Sequence, residues 1–234
     1  MLQKIIKRPY LMAFTSGMLS FFAVLQMVFL LSWVCYVLFF LSLKAKSIRQ
    51  TLSLGFTFGI ALSIPSFYWV IAGAGKYTAA GGLYGLAAFL LVSLIFCLYW
   101  SVLSISFTFL QVSLRSPKWA ILLNALLVSA LWTLGEALLR NIFSGMPWFA
   151  YNTGFGLLKN LYAVQPASLG GISVISFVVV LVNFLISEFI FSCQWRNLSL
   201  PALIIIAYLL LGYFILARFD SLIKSAPVKV AILA

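Results

Sequence analysis

The chain carries only three Asp or Glu residues against 15 Lys or Arg, and it has no histidine. Its three cysteines, Cys35, Cys97 and Cys193, stand far apart with no CxxC among them. Zinc and iron–sulfur sites are excluded on that ground, and no metal or cofactor is expected. Cys35 and Cys97 lie inside apolar runs, where a thiol acts as a small packing residue. Charged residues make up 8% of the 234 positions and apolar ones 65%, whereas soluble domains are about a quarter charged. No polar stretch is long enough to form a soluble domain, so the chain reads as an integral membrane protein with several crossings. The net charge of +12 would suggest nucleic acid in a soluble protein. Here the basic residues cluster in short loops between apolar runs, which is an orientation signal, and no nucleic-acid partner is expected. Binding of anionic lipid headgroups is the secondary reading of that charge. An internal repeat is also lacking, which weakens a transporter reading.

The apolar runs define the fold class: an all-α, polytopic helical bundle. From Tyr10 to Leu43 no charge interrupts the chain, although one crossing needs about 20 residues. The run is therefore one long tilted helix, or two short ones with a turn at Gly17, Ser20 or Gln26. Further crossings are predicted over 52–72, with a kink at Pro65, and over 83–110, 119–139, 172–192 and 200–217. Residues 73–82 read as a loop, and 141–171 as the only long loop. Splitting the first run gives seven crossings; keeping it whole gives six. Basic residues decide between them once the tail from Arg218 is set aside. Seven crossings and a cytoplasmic N-terminus place Lys4, Lys7, Arg8, Lys44, Lys46, Arg49, Arg115, Lys118 and Arg196 inside, with Lys76, Arg140 and Lys159 outside. Six crossings divide the same residues evenly. Seven is the preferred count, and it puts the 141–171 loop and the C-terminus on the extracytoplasmic side.

The candidate site is the segment Trp132-Thr133-Leu134-Gly135-Glu136-Ala137-Leu138-Leu139-Arg140, followed by Gly145-Met146-Pro147-Trp148. A carboxylate in an apolar run needs a partner or a wet site. Trp132 and Arg140 lie four residues to either side on the same helical face, and Arg140 suits an ion pair with Glu136. The site is expected at the outer membrane surface, as a headgroup- or loop-positioning group or as a helix-end ion pair. Gly145, Pro147 and Trp148 read as a rigid turn that presents an indole. Glu188 and Asp220 lie near segment ends and are expected to be solvated. Asn183 is expected to bridge helices, and Gly55 with Gly59 to pack one helix closely on another.

Several blocks, taken in order, resemble the membrane domain of bacterial apolipoprotein N-acyltransferase. They are Gly55-Phe56-Thr57-Phe58-Gly59, Trp69-Val70, Gly81-Gly82, then Trp132, Glu136, Gly145, Pro147 and Trp148, then Gly171, Ser176-Phe177 and Asn183. The stretch Val228-Lys229-Val230-Ala231-Ile232-Leu233 resembles the first strand of that family's nitrilase-like domain, so a division into a 1–225 membrane domain and a 226–234 tail is implied. The chain departs from the family pattern in three places. Arg140 lies four rather than three residues after Glu136, Met146 replaces a Phe, and Asn152-Thr153-Gly154-Phe155 stands where the family has Gly-Tyr-Ser-Gln.

The resemblance implies lipoprotein maturation at a bacterial inner membrane, with an acyl group passed from phospholipid to a lipoprotein's N-terminal amine. The family's Glu-Lys-Cys triad lies in the nitrilase-like domain, so no catalytic residue is expected here. Phospholipid, lipoprotein and a separate nitrilase-like chain are the implied partners. Trp132, Glu136, Arg140, Gly145, Pro147 and Trp148 would bind lipid or position the loop. The alternative is a non-catalytic anchor, since related membrane domains are joined to polyprenol-phosphate glycosyltransferases.

Overall fold

A computed structural model describes residues 8–44, 46–78, 81–109, 117–145, 151–193 and 195–225. All regular structure among them is helical. Among the described residues, four helices are long and apolar enough to cross a membrane: Gly81–Phe109, Trp119–Ile142, Ile172–Phe191 and Ser199–Phe219. A fifth crossing is available if the bent pair Ile48–Phe67 and Trp69–Tyr77 counts as one, and Pro9–Val24 and Phe29–Ser42 are shorter apolar helices. The helices are labelled α1 (Pro9–Val24), α2 (Phe29–Ser32), α3 (Val37–Ser42), α4 (Ile48–Phe67), α5 (Trp69–Tyr77), α6 (Gly81–Phe109), α7 (Pro117–Ile142), α8 (Leu161–Val164), α9 (Ala167–Gly170), α10 (Ile172–Phe191) and α11 (Ser199–Ser225).

The first apolar run is a helical hairpin, and of the three candidate turn positions it is Gln26 that lies in the turn. Met27 adopts a left-handed φ of 54°, and Val28 N donates to Ala23 O at 3.1 Å. Ser16 and Ser20 stay inside α1; the Ser16 hydroxyl donates to the carbonyl of Cys35 across the hairpin. The second arm is itself broken between α2 and α3. In hydrocarbon every backbone group needs a protein partner, and Asn183 of α10 supplies it. Tyr36 N donates to Asn183 Oδ1 at 2.9 Å, and Asn183 Nδ2 donates to Ser32 O at 2.9 Å. Residues 32 and 36 are the pair an unbroken helix would have joined directly, so one amide side chain spans the lost bond. Asn183→Leu is expected to strand both groups and lower stability by about 2 kcal/mol, read as an earlier thermal transition in detergent.

α4 starts on a reciprocal cap in which Gln50 N donates to Ser47 Oγ and Ser47 N to Gln50 Oε1. It carries Pro65 and ends in a bend of 53° into α5. Residues 73–77 are helical, which corrects the loop expected over 73–82. The helix persists there because α6 packs closely along it: a Cβ on Gly75 would lie 2.7 Å from the Gly81 carbonyl oxygen, and one on Gly85 would run into the carbonyl of Ile71. Gly55 and Gly59 serve α4 in the same way. A Cβ on Gly59 would meet Cys97 Cα at 2.7 Å, and one on Gly55 would meet Trp100 O at 2.5 Å.

α10 is the most deeply buried of the four long helices and α11 the least. α11 runs on to Ser225, about two turns past the end expected at Ala217. It holds α8 through a 2.5 Å bond from the Tyr208 hydroxyl to Ala163 O. The tail 226–234 lies outside the described residues.

The 141–171 segment, expected as the one long loop, is packed into the bundle over much of its described length. Tyr151, Asn152, Thr153, Gly154, Leu157 and Ala163 are all buried. Its 3-10 turn, Thr153–Leu157, packs on α10, α1 and α2. At Gly156 a Cβ would strike Ser32 Oγ and come within 2.8 Å of Ala23 O, so only glycine lets this turn sit against the hairpin.

Candidate functional site

The site is built around Trp132 and Glu136 on α7, which are 0% and 1% exposed. The indole is enclosed by aromatic rings from α3, from α6 and from the break between α2 and α3. Tyr36 and Trp100 lie with centroids 4.7 Å away, Phe107 stacks at 5.5 Å with 5° between planes, and Phe40 stands at 5.8 Å. Its N–H is shared between Glu136 Oε1 at 2.9 Å and Thr153 Oγ1 at 3.0 Å. The same carboxylate oxygen accepts the backbone N–H of Thr153 at 2.8 Å. The Tyr36 hydroxyl extends the chain of bonds, lying 2.8 Å from the Tyr151 hydroxyl and 3.1 Å from Thr153 Oγ1. Ser176 Oγ of α10 accepts Gly154 N at 2.9 Å. Every member of this network is buried, so its bonds face no competition from water.

Glu136 and Arg140 share a face, as their spacing requires, but they do not form the expected ion pair. Arg140 donates to Asn152 Oδ1 at 2.7 Å and to Ser173 Oγ at 3.2 Å. Glu136 Oε1 accepts two N–H donors, while Arg140, one turn nearer the helix end, reaches the polar groups there. The two residues therefore grip neighbouring positions of the inserted segment: Arg140 holds the side chain of Asn152, and Glu136 the backbone of Thr153. Glu136 lies six residues before the end of α7, about 9 Å inside it. Burial raises the Tyr151 phenol well above the ordinary tyrosine range, so it stays a neutral hydroxyl able to donate or accept.

Three buried polar atoms, Glu136 Oε2, Asn152 Nδ2 and Tyr99 Oη, have no hydrogen-bond partner among the described residues. Tyr99 stands against the same helix, since a Cβ on Gly135 would lie 2.6 Å from its hydroxyl. One acceptor and two donors thus stand unpartnered on the buried side of α7 and the inserted segment.

The remaining sequence candidates are placed differently. Gly145 lies on an exposed turn, and a Cβ there would meet nothing within 4 Å. Glycine is not required at that position, and Gly145→Ala is expected to change thermal stability by less than about 0.5 kcal/mol. Pro147 and Trp148 lie outside the described residues. Glu188, expected in solvent, is instead paired with Lys44, and both side chains are mostly buried; the partner is 144 residues away in sequence. The side chain of Asp220 is outside the described residues. Cys35 and Cys97 are buried, Cys193 is exposed and all three are free. Among the described residues no three metal-ligating side chains gather.

Sequence reasoning missed Tyr36, Tyr151, Asn152 and Thr153. The available signal was Asn152-Thr153-Gly154, a short polar stretch in aromatic surroundings, read only as a departure from the family pattern.

Among known families, the apolipoprotein N-acyltransferase N-terminal domain matches residues 16–185. That stretch contains the hairpin from Ser16 onward, Trp132, Glu136, Arg140 and the inserted segment. No curated protein matches the chain.

Proposed function

Because the chain belongs to the apolipoprotein N-acyltransferase N-terminal domain family, we propose that it is the membrane-embedded part of a lipoprotein N-acylating system. In this role it holds phospholipid, the acyl donor, and the lipid-bearing end of a lipoprotein close to a nitrilase-like catalytic domain, and contributes proximity and orientation rather than bond chemistry. The supporting observation is the double grip of Glu136 and Arg140 on Asn152-Thr153. It fixes the chain just past Pro147 and Trp148, at the end of the bundle with few basic residues. The setting is a bacterial inner membrane, with the N-terminus in the cytoplasm and this end of the bundle outside, as the basic residues favour.

The cysteines support a non-catalytic role. A cysteine nucleophile needs an accessible thiolate beside a base or cation, and Cys35 and Cys97 are enclosed in the bundle. In this reading the nucleophile belongs to the nitrilase-like domain.

The test is reconstitution. The chain, co-inserted in membranes with the nitrilase-like domain of a family member, should acylate a lipoprotein's N-terminal amine, read by mass spectrometry of the N-terminal peptide. The catalytic domain alone should do so at least tenfold more slowly. Equal acylation with and without the chain would overturn the proposal and favour the anchor reading.

A further inference from the structure

At the other end of the bundle is a cavity of about 240 Å3, room for about eight waters at their liquid volume. Its walls divide by chemistry. Phe40, Phe107 and Phe184 line the inner part; Lys44, Lys46 and Thr108 line the polar part. Lys44 Nζ stands 5.4 Å from the Phe184 ring and 5.6 Å from that of Phe191, and Phe191 is itself exposed. Glu188 sits twelve residues along α10 from Ser176, about 18 Å away, so the charged rim lies apart from the Glu136 carboxylate, while Phe40 and Phe107 of the cavity wall also pack on the Trp132 indole.

The local charge does not balance. Glu188 neutralises Lys44, while Lys46 forms no ion pair among the described residues. The whole chain has only three acidic residues, and Glu136 is committed at the opposite end. A cavity with aromatic walls at its base and surplus positive charge at its rim selects a molecule that is apolar at one end and anionic at the other.

We propose that this cavity is a binding site for the headgroup and glycerol region of an anionic phospholipid. Its phosphate lies against Lys46 and Lys44, and the first acyl carbons lie on Phe107 and Phe184. Glu188 then acts as the competing anion: it holds Lys44 when the site is empty and weakens lipid binding by doing so. The site does not depend on the acyl-transfer reading, because binding can be measured without turnover.

The experiment titrates the full chain, purified in an uncharged detergent, with dioctanoyl phosphatidylglycerol and dioctanoyl phosphatidylcholine, counting bound lipid by native mass spectrometry. Phosphatidylglycerol should bind at least tenfold more tightly. Lys46→Gln should weaken it about fivefold, the effect of one interfacial lysine. Glu188→Gln, which releases Lys44, should tighten it, and Lys76→Gln, at the far end of α5, should leave it unchanged. A structural role alone would not give opposite signs for Lys46→Gln and Glu188→Gln. Equal binding of the two lipids, or equal losses from Lys46→Gln and Lys76→Gln, would overturn the proposal. So would displacement of the lipid by inorganic phosphate at matched concentration, which would make this a free-anion site.

Discussion

Glu136→Ala is expected to release the inserted segment from the bundle while leaving the helices in place. The substitution removes the acceptor of two buried donors, the Thr153 backbone N–H and the Trp132 indole N–H. The indole keeps Thr153 Oγ1, but the Thr153 amide is left without a partner inside the protein. Stranding a buried donor costs about 1–3 kcal/mol, more at a charged acceptor, so a loss of about 3 kcal/mol is expected. Glu136→Gln keeps an oxygen in the Oε1 position and should stay within about 1 kcal/mol of the parent chain. Thermal unfolding in detergent separates the two substitutions. Near-equal losses would mean that the carboxylate charge, and not the acceptor geometry, holds the segment.

Trp132→Ala should be more damaging. The indole is fully buried against Tyr36, Trp100, Phe107 and Phe40, and truncating a buried Trp costs about 3–5 kcal/mol through lost contacts and the cavity left behind. Trp132→Phe keeps most of the ring contacts and removes only the N–H, with an expected loss of about 1–2 kcal/mol. The difference between the two variants isolates packing from hydrogen bonding. If Trp132→Phe were as destabilising as Trp132→Ala, the aromatic cage would not be the main contribution. In either variant the Thr153 amide still has Glu136 as its acceptor, so segment release should be smaller than in Glu136→Ala even where global stability is lower.

These contrasts follow from a division visible along the chain. Features set by nearby residues could be read from sequence. Long apolar runs gave the helices, and Gln26 was one of the three turn positions that the first run offered. The rarity of acid drew attention to Glu136, and the four-residue spacing put Trp132 and Arg140 on its face. Features set by distant residues could not be read in this way. The 151–157 segment has neither helical period nor strand alternation, and connecting segments ordinarily run over the surface because buried backbone groups need partners. Here the partners are Glu136 and Ser176, 17 and 22 residues away. Asn183 meets Tyr36 across 147 residues, and Lys44 meets Glu188 across 144. The i,i+4 rule gave the correct face for Arg140 but the wrong partner, because proximity along a helix does not count competing donors. Arg140 binds Asn152 and Ser173 instead, residues that helix spacing cannot reveal.

The most direct measurement is hydrogen exchange at the backbone amides of Thr153 and Gly154, in the chain reconstituted into lipid nanodiscs. Amides bound to Glu136 and Ser176 inside the bundle should exchange orders of magnitude more slowly than those of the exposed turn at Ser144 and Gly145. Glu136→Ala should speed exchange at Thr153 by at least a hundredfold, the equivalent of about 3 kcal/mol. Exchange at Thr153 as fast as at Gly145 in the unaltered chain would contradict the account, because the segment would then lie in water and Glu136 would have nothing to hold.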